Sequence, residues 1–131
     1  MKNADVCGSV HEEEIQRMLQ YAEHEANING GQIAKIICVR GSMEVPLALD
    51  RLLKESEVDA AIALGIIERG ETQHGLVMGQ AVTRSVIELQ IKYDKSIGLG
   101  IIGPGAEKHH IEPRLEPHAR SAVNAVIKMS K

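Results

Sequence analysis

Val58–Leu64 reads VDAAIAL, a strand-length run that is apolar at every position except Asp59. Ile33–Val39 (IAKIICV) and Ser96–Ile102 (SIGLGII) have the same character. A strand that is apolar on both faces has to be buried between two layers, which is the condition of a parallel sheet covered on both sides. The intervening segments supply the covers. His11 to about Ala26 places Ile15, Met18, Leu19 and Ala22 at helical spacing, and Val45–Lys54 does the same with Val45, Leu49, Leu52 and Leu53. Pro46 is tolerated in the first turn of that helix, and Asn29-Gly30-Gly31 stops the preceding one. His74–Lys92 carries Val77, Ala81, Val82, Ile87 and Ile91 on a broad stripe read as core.

Asp5–Ser9 completes a set of four strands. Pro113 and Pro117 predict a break near the end, with a short helix up to about Pro113 and a last helix from about Pro117 to Met129. No repeat or linker divides the 131 residues, so the expectation is one domain, residues 1–131, folded as a three-layer α/β sandwich around a parallel four-stranded sheet. Such sheets bind ligands outside the carboxyl ends of their strands. Three loops qualify: Arg40–Glu44, Ile66–His74 and Gly103–Gly105.

Composition narrows the partners. The net charge of −3 lacks the basic footprint of a nucleic-acid binder. No apolar run has the length of a membrane span, and no signal-peptide pattern opens the chain. Cys7 and Cys38 each lie in an apolar stretch and read as buried free thiols, consistent with a reducing, cytoplasmic setting. With two Tyr and no Phe or Trp, the core is aliphatic and stacking rings are scarce. His109 and His110 point about 100° apart on a helix, a poor metal pair; no metal or cofactor is expected.

Ile66–His74 (IIERGETQH) changes abruptly from apolar to polar. Thr72 can cap the following helix, whose free N–H groups favour an anion such as phosphate. His74 falls in the first turn, where the positive end of the dipole favours a neutral, proton-accepting ring. These residues alone are equally those of an ordinary capped helix with a surface histidine.

From Val39 to Lys131, about 70% of the chain, the sequence resembles the 6,7-dimethyl-8-ribityllumazine synthase family, in its short, archaeal-type branch. The resemblance rests on RGSMEVPLAL (Arg40–Leu49), ALGIIERGETQH (Ala63–His74), YDKSIGLGIIGPG (Tyr93–Gly105) and RSAVNAVIKM (Arg120–Met129). It implies a flavodoxin-like fold and an enzyme of riboflavin biosynthesis. That enzyme condenses 5-amino-6-(D-ribitylamino)uracil with 3,4-dihydroxy-2-butanone 4-phosphate, without cofactor.

By resemblance, His74 transfers protons. Gly70, Glu71 and Thr72 hold the phosphate, with Arg114 reaching in from a neighbouring subunit. Glu44 accepts hydrogen bonds from the ribityl chain beside Ser42 and Met43. Ile66, Ile67 and Glu68 line the pocket, and Leu99 lies under the ring. The implied assembly is a homopentamer, or twelve pentamers forming a 60-subunit shell.

The sequence departs from the family pattern in the ring-binding half. Val10 and His11 stand where an aromatic and an asparagine are usual, and Met43 replaces a second aromatic. Arg40 replaces a proline, and Gly75 and Leu76 occupy the place of an acidic residue. Two alternatives follow: a family member kept for its pentamer or shell, and the paralogous short-type riboflavin synthase.

Overall fold

A computed structural model describes residues 1–130. Four strands, β1 (Lys2–Gly8), β2 (Gln32–Val39), β3 (Ala60–Glu68) and β4 (Ile97–Ala106), form one parallel sheet in the order β2-β1-β3-β4. Helices α1 (Glu12–Ile28) and α4 (Lys108–Met129) cover one face, and α2 (Val45–Leu53) and α3 (His74–Tyr93) cover the other. The three-layer sandwich with a four-stranded parallel sheet is therefore as expected.

Alternation along the strands builds the two cores. Cys7, Ala60, Ile62, Leu64 and Ile102 face α1 and α4, whereas Ala4, Val6, Ala61, Ala63, Ile97 and Ile101 face α2 and α3. β3 is buried from Ala60 to Ile67, as its continuous apolar run requires. The close approaches come from glycine. A side chain at Gly98 would collide with the Ala122 carbonyl of α4, and one at Gly100 would lie 2.7 Å from Leu64 Cδ2. These glycines seat α4 of the same chain.

Several elements differ from the sequence reading. α4 is one continuous helix across Pro113 and Pro117. Both prolines are exposed, while Ile111, Leu115, Ala119, Ala122, Val123 and Val126 form an unbroken buried stripe. Burial of that stripe outweighs the hydrogen bonds the prolines remove. β2, read as a covered strand, is a half-exposed edge with Ile36 at the surface, because α1 and α2 do not reach across it.

The stripe on α3 is also largely uncovered. Val82 is buried, but Val77, Ile87 and Ile91 are exposed, since α3 buries only its narrow Gly79, Val82, Val86 edge. Finally, Cys7 and Cys38 are not free thiols. They are direct partners across β1 and β2, 4.6 Å apart at Cα, and their sulfurs are bonded. The sheet register sets that pairing, which a separation of 31 residues does not reveal.

Candidate active site

The chain leaves β1 outward to β2 and then returns to β3, so the strand order reverses between β1 and β3. A crevice of about 480 Å³ opens at that switch point, beyond the carboxyl ends of the strands. Gly8 at the end of β1 and Val10 beyond it line one side, and Arg40–Glu44 follow β2 along another. Ile66, Ile67 and Glu68 end β3 as the floor, and Gly70, Thr72 and His74 lead into α3.

Local contacts hold these loops together. Ser9 N–H donates to the Val39 carbonyl at 2.7 Å and its hydroxyl to the Arg40 carbonyl at 3.2 Å, which joins the β1 and β2 rims. Ser42 is buried in the short 3₁₀ turn Ser42–Glu44. Gly75 lets α3 start against the end of β3; a Cβ there would stand 3.1 Å from the Glu68 carbonyl oxygen. Thr72 Oγ1 accepts from His74 N–H at 3.3 Å, so its hydroxyl serves the helix start although Gln73 is the capping residue.

Ten of the residues anticipated from sequence thus converge: Val10, Ser42, Met43, Glu44, Ile66, Ile67, Glu68, Gly70, Thr72 and His74. His11 stands behind them. It caps α1 in the left-handed conformation (φ 64°, ψ 51°) and makes no side-chain cap hydrogen bond. Its Nε2 meets Glu68 Oε1 at 2.5 Å instead. A left-handed residue other than glycine costs roughly 1–2 kcal/mol.

Three residues lie apart. Glu71 faces an adjoining cavity of about 420 Å³ that also includes Arg69, Thr72 and Pro104. Arg114 lines a separate groove of about 340 Å³ with His110, His118 and the Gly103–Ala106 turn. Burial first, and the Arg114 charge second, push His118 below the usual histidine range. Leu99 is on the α2/α3 face of β4, 40% exposed and outside the crevice.

The sequence reading did not single out Gly8 or Met78 as wall residues; it named Arg40 only within the candidate loop Arg40–Glu44 and as a departure, and Gly75 only as a departure. Met78, one turn after His74, was legible from helical spacing; Gly8 was visible only in three dimensions.

Glu107, His109 and His110 gather at the start of α4, within reach of a common ion. Glu107 N–H, however, donates to His110 Nδ1 at 3.0 Å, and the two residues cap the helix reciprocally. Among the described residues no helix is long and apolar enough to cross a membrane.

The chain resembles known proteins over most of its length. Residues 1–131 match the family described as 6,7-dimethyl-8-ribityllumazine synthase. A protein of that name from Staphylothermus marinus is 42% identical over 112 residues, covering 86% of this chain and 75% of the relative. One from Methanothermobacter thermautotrophicus is 38% identical over 112 residues, covering 86% and 80%. One from Picrophilus torridus is 35% identical over 114 residues, covering 87% and 83%.

Proposed function

The chain belongs to the 6,7-dimethyl-8-ribityllumazine synthase family, and from that premise we propose how its crevice works as such a transferase of riboflavin biosynthesis. The substrates are 5-amino-6-(D-ribitylamino)uracil and 3,4-dihydroxy-2-butanone 4-phosphate. The observation that carries the reading is the convergence of Ser42–Glu44, Ile66–Glu68, Thr72 and His74 on one crevice at the switch point. The relatives carry the name lumazine synthase, which favours this activity over a riboflavin synthase or an assembly protein without a pocket.

The phosphate sits at the start of α3, where free N–H groups, the Thr72 hydroxyl and the Gly70-Glu71 backbone supply donors. The ribityl hydroxyls donate to Glu44. The uracil ring lies on the apolar floor of Ile66 and Ile67, with Val10 and Met43 above and Glu68 at the edge. The reaction joins an amine to a ketone, expels phosphate and closes a ring. Each change moves a proton, and His74 at the crevice lip carries it. The remaining acceleration comes from holding two substrates side by side, so no cofactor is invoked.

A full positive charge for the phosphate comes from Arg114 of a second copy. Leu99 and Arg114 both lie outside the crevice of their own chain, which supports a composite site in a homopentamer, with a 60-subunit shell of twelve pentamers as its larger form. The exposed apolar stripe on α3 supplies surface for that association. Cytoplasmic residence belongs to the same reading, although the Cys7–Cys38 bond removes free thiols as an argument for it.

The test is an assay of purified protein with both substrates, following lumazine fluorescence. Turnover above the uncatalysed rate is expected; its absence from folded, assembled protein rejects the reading.

A further inference from the structure

The His11–Glu68 contact is not accounted for by the fold or by the chemistry assigned to His74. His11 is one of two residues other than glycine with positive φ among those described, and the other, Asp94, merely ends α3. At the α1 start the ordinary role of such a side chain is to accept a backbone N–H, and His11 makes no such bond. Its ring turns instead to the last residue of β3 and donates from Nε2 to the Glu68 carboxylate. The ring is mostly covered, with 23% of the side chain exposed, and it does not line the crevice; Glu68 is half exposed and lines it.

Glu68 stands at a boundary. It borders both the crevice and the adjoining cavity that holds Glu71, as Gly70, Thr72 and Gly75 also do. Left alone, an exposed glutamate at a strand end would swing among several rotamers. The imidazole at 2.5 Å removes that freedom. A carboxylate is an acceptor only, and one hydrogen bond from His11 leaves lone pairs free on both oxygens. The ligand group that suits them is an N–H donor. A pyrimidine amine carries such donors on its ring and amino nitrogens, whereas a phosphorylated hydroxyketone would be repelled.

We infer that His11 is a positioning residue that holds the Glu68 carboxylate at the crevice mouth, where Glu68 accepts N–H hydrogen bonds from the pyrimidine amine and sets specificity for it. This rests on reading the crevice as the site of that substrate. The left-handed backbone at His11 is what aims the ring across from α1 to β3. Histidine, with asparagine and aspartate, is among the side chains that tolerate this conformation.

The experiment compares wild type with His11→Ala, His11→Gly, His11→Asn and Glu68→Gln by steady-state kinetics, with light scattering to verify assembly. The same proteins are titrated calorimetrically with a ribitylaminouracil analogue. His11→Ala is expected to raise KM for the pyrimidine amine about tenfold, the loss of a charge-assisted hydrogen bond. KM for the butanone phosphate stays unchanged and kcat stays within about twofold.

His11→Gly, which relieves the backbone but lacks the ring, behaves like His11→Ala. His11→Asn keeps the left-handed turn and a donor, and restores KM to within about threefold. Combining His11→Ala with Glu68→Gln adds nothing beyond either change alone. An unchanged KM in His11→Ala, full rescue by glycine, or additive effects in the double variant overturns the inference. Absence of turnover in wild type, together with analogue binding that still depends on His11, overturns the enzymatic reading alone. Analogue binding indifferent to His11 overturns the inference whatever the turnover.

Discussion

The two faces of the sheet are finished to different degrees. On the α1/α4 face, α4 descends onto Gly98 and Gly100 and buries six apolar side chains. Arg120 ties the two helices together, donating to Glu25 at 2.9 Å and Glu116 at 2.8 Å beside the Tyr21 ring. On the α2/α3 face, α3 buries only Gly79, Val82 and Val86 and leaves Leu76, Val77, Ile87 and Ile91 in solvent, with Leu99 exposed on the strand below. The first face is complete within one chain. The second leaves its apolar stripe exposed, and the crevice opens toward it, sharing Met43, His74 and Met78 with a cavity between α2 and α3.

The closed face also contains the one costly flaw. Asp5 is fully buried on β1 with neither carboxylate oxygen bonded, and Asn3 beside it has an unbonded oxygen. Burial, aided by the negative charge of Glu23 on α1, raises the Asp5 pKa to about 7.

The sharpest way to break the contrast is at Gly98. Gly98→Val must push α4 off the sheet, so a loss of at least about 3 kcal/mol or failure to fold is expected, read by denaturant unfolding. Near-wild-type stability would show that the close approach is dispensable.

Asp5→Asn should act in the opposite direction. The folded carboxyl keeps its proton up to about pH 7, whereas the unfolded one loses it near the ordinary 3.8. The native state therefore binds the extra proton between those values, and stability falls as pH rises from about 4 to 7. The asparagine variant should match wild type near pH 4 and exceed it by about 2–4 kcal/mol at pH 8. Parallel pH profiles for the two proteins would refute this.

Arg114 distinguishes a structural residue of the closed layer from one serving the open face of a neighbour. Its side chain donates to the His110 carbonyl at 3.0 Å on its own helix. Arg114→Ala should raise KM for the phosphorylated substrate about tenfold to a hundredfold, with assembly intact by light scattering. Dissociation would make it structural.

The smallest effect on the single chain is expected at Ile91, which is 77% exposed. Ile91→Ser should alter intrinsic stability by less than about 0.5 kcal/mol while reducing the oligomeric mass. A large loss of stability at equal mass would put Ile91 in the core instead.

Much of this molecule was legible in its sequence. Strands apolar on both faces and helices apolar on one dictated the layers, because burial energy follows local periodicity. The GETQH segment marked the crevice, because a buried strand must end where polar groups begin. Ile15, Met18, Leu49 and Leu52 took their core places for the same reason.

What periodicity could not settle was decided by neighbours distant in the chain. Pro113 and Pro117 remain helical because the buried stripe around them costs more to abandon than the lost hydrogen bonds. Cys7 met Cys38 through strand register, and His11 met Glu68 because a left-handed turn aimed one loop at the end of another strand. The outward stripe of α3 looked like core since a sequence records apolarity and not which apolar face finds a partner within the chain. Local pattern determines what each segment can bury; only tertiary structure decides against what.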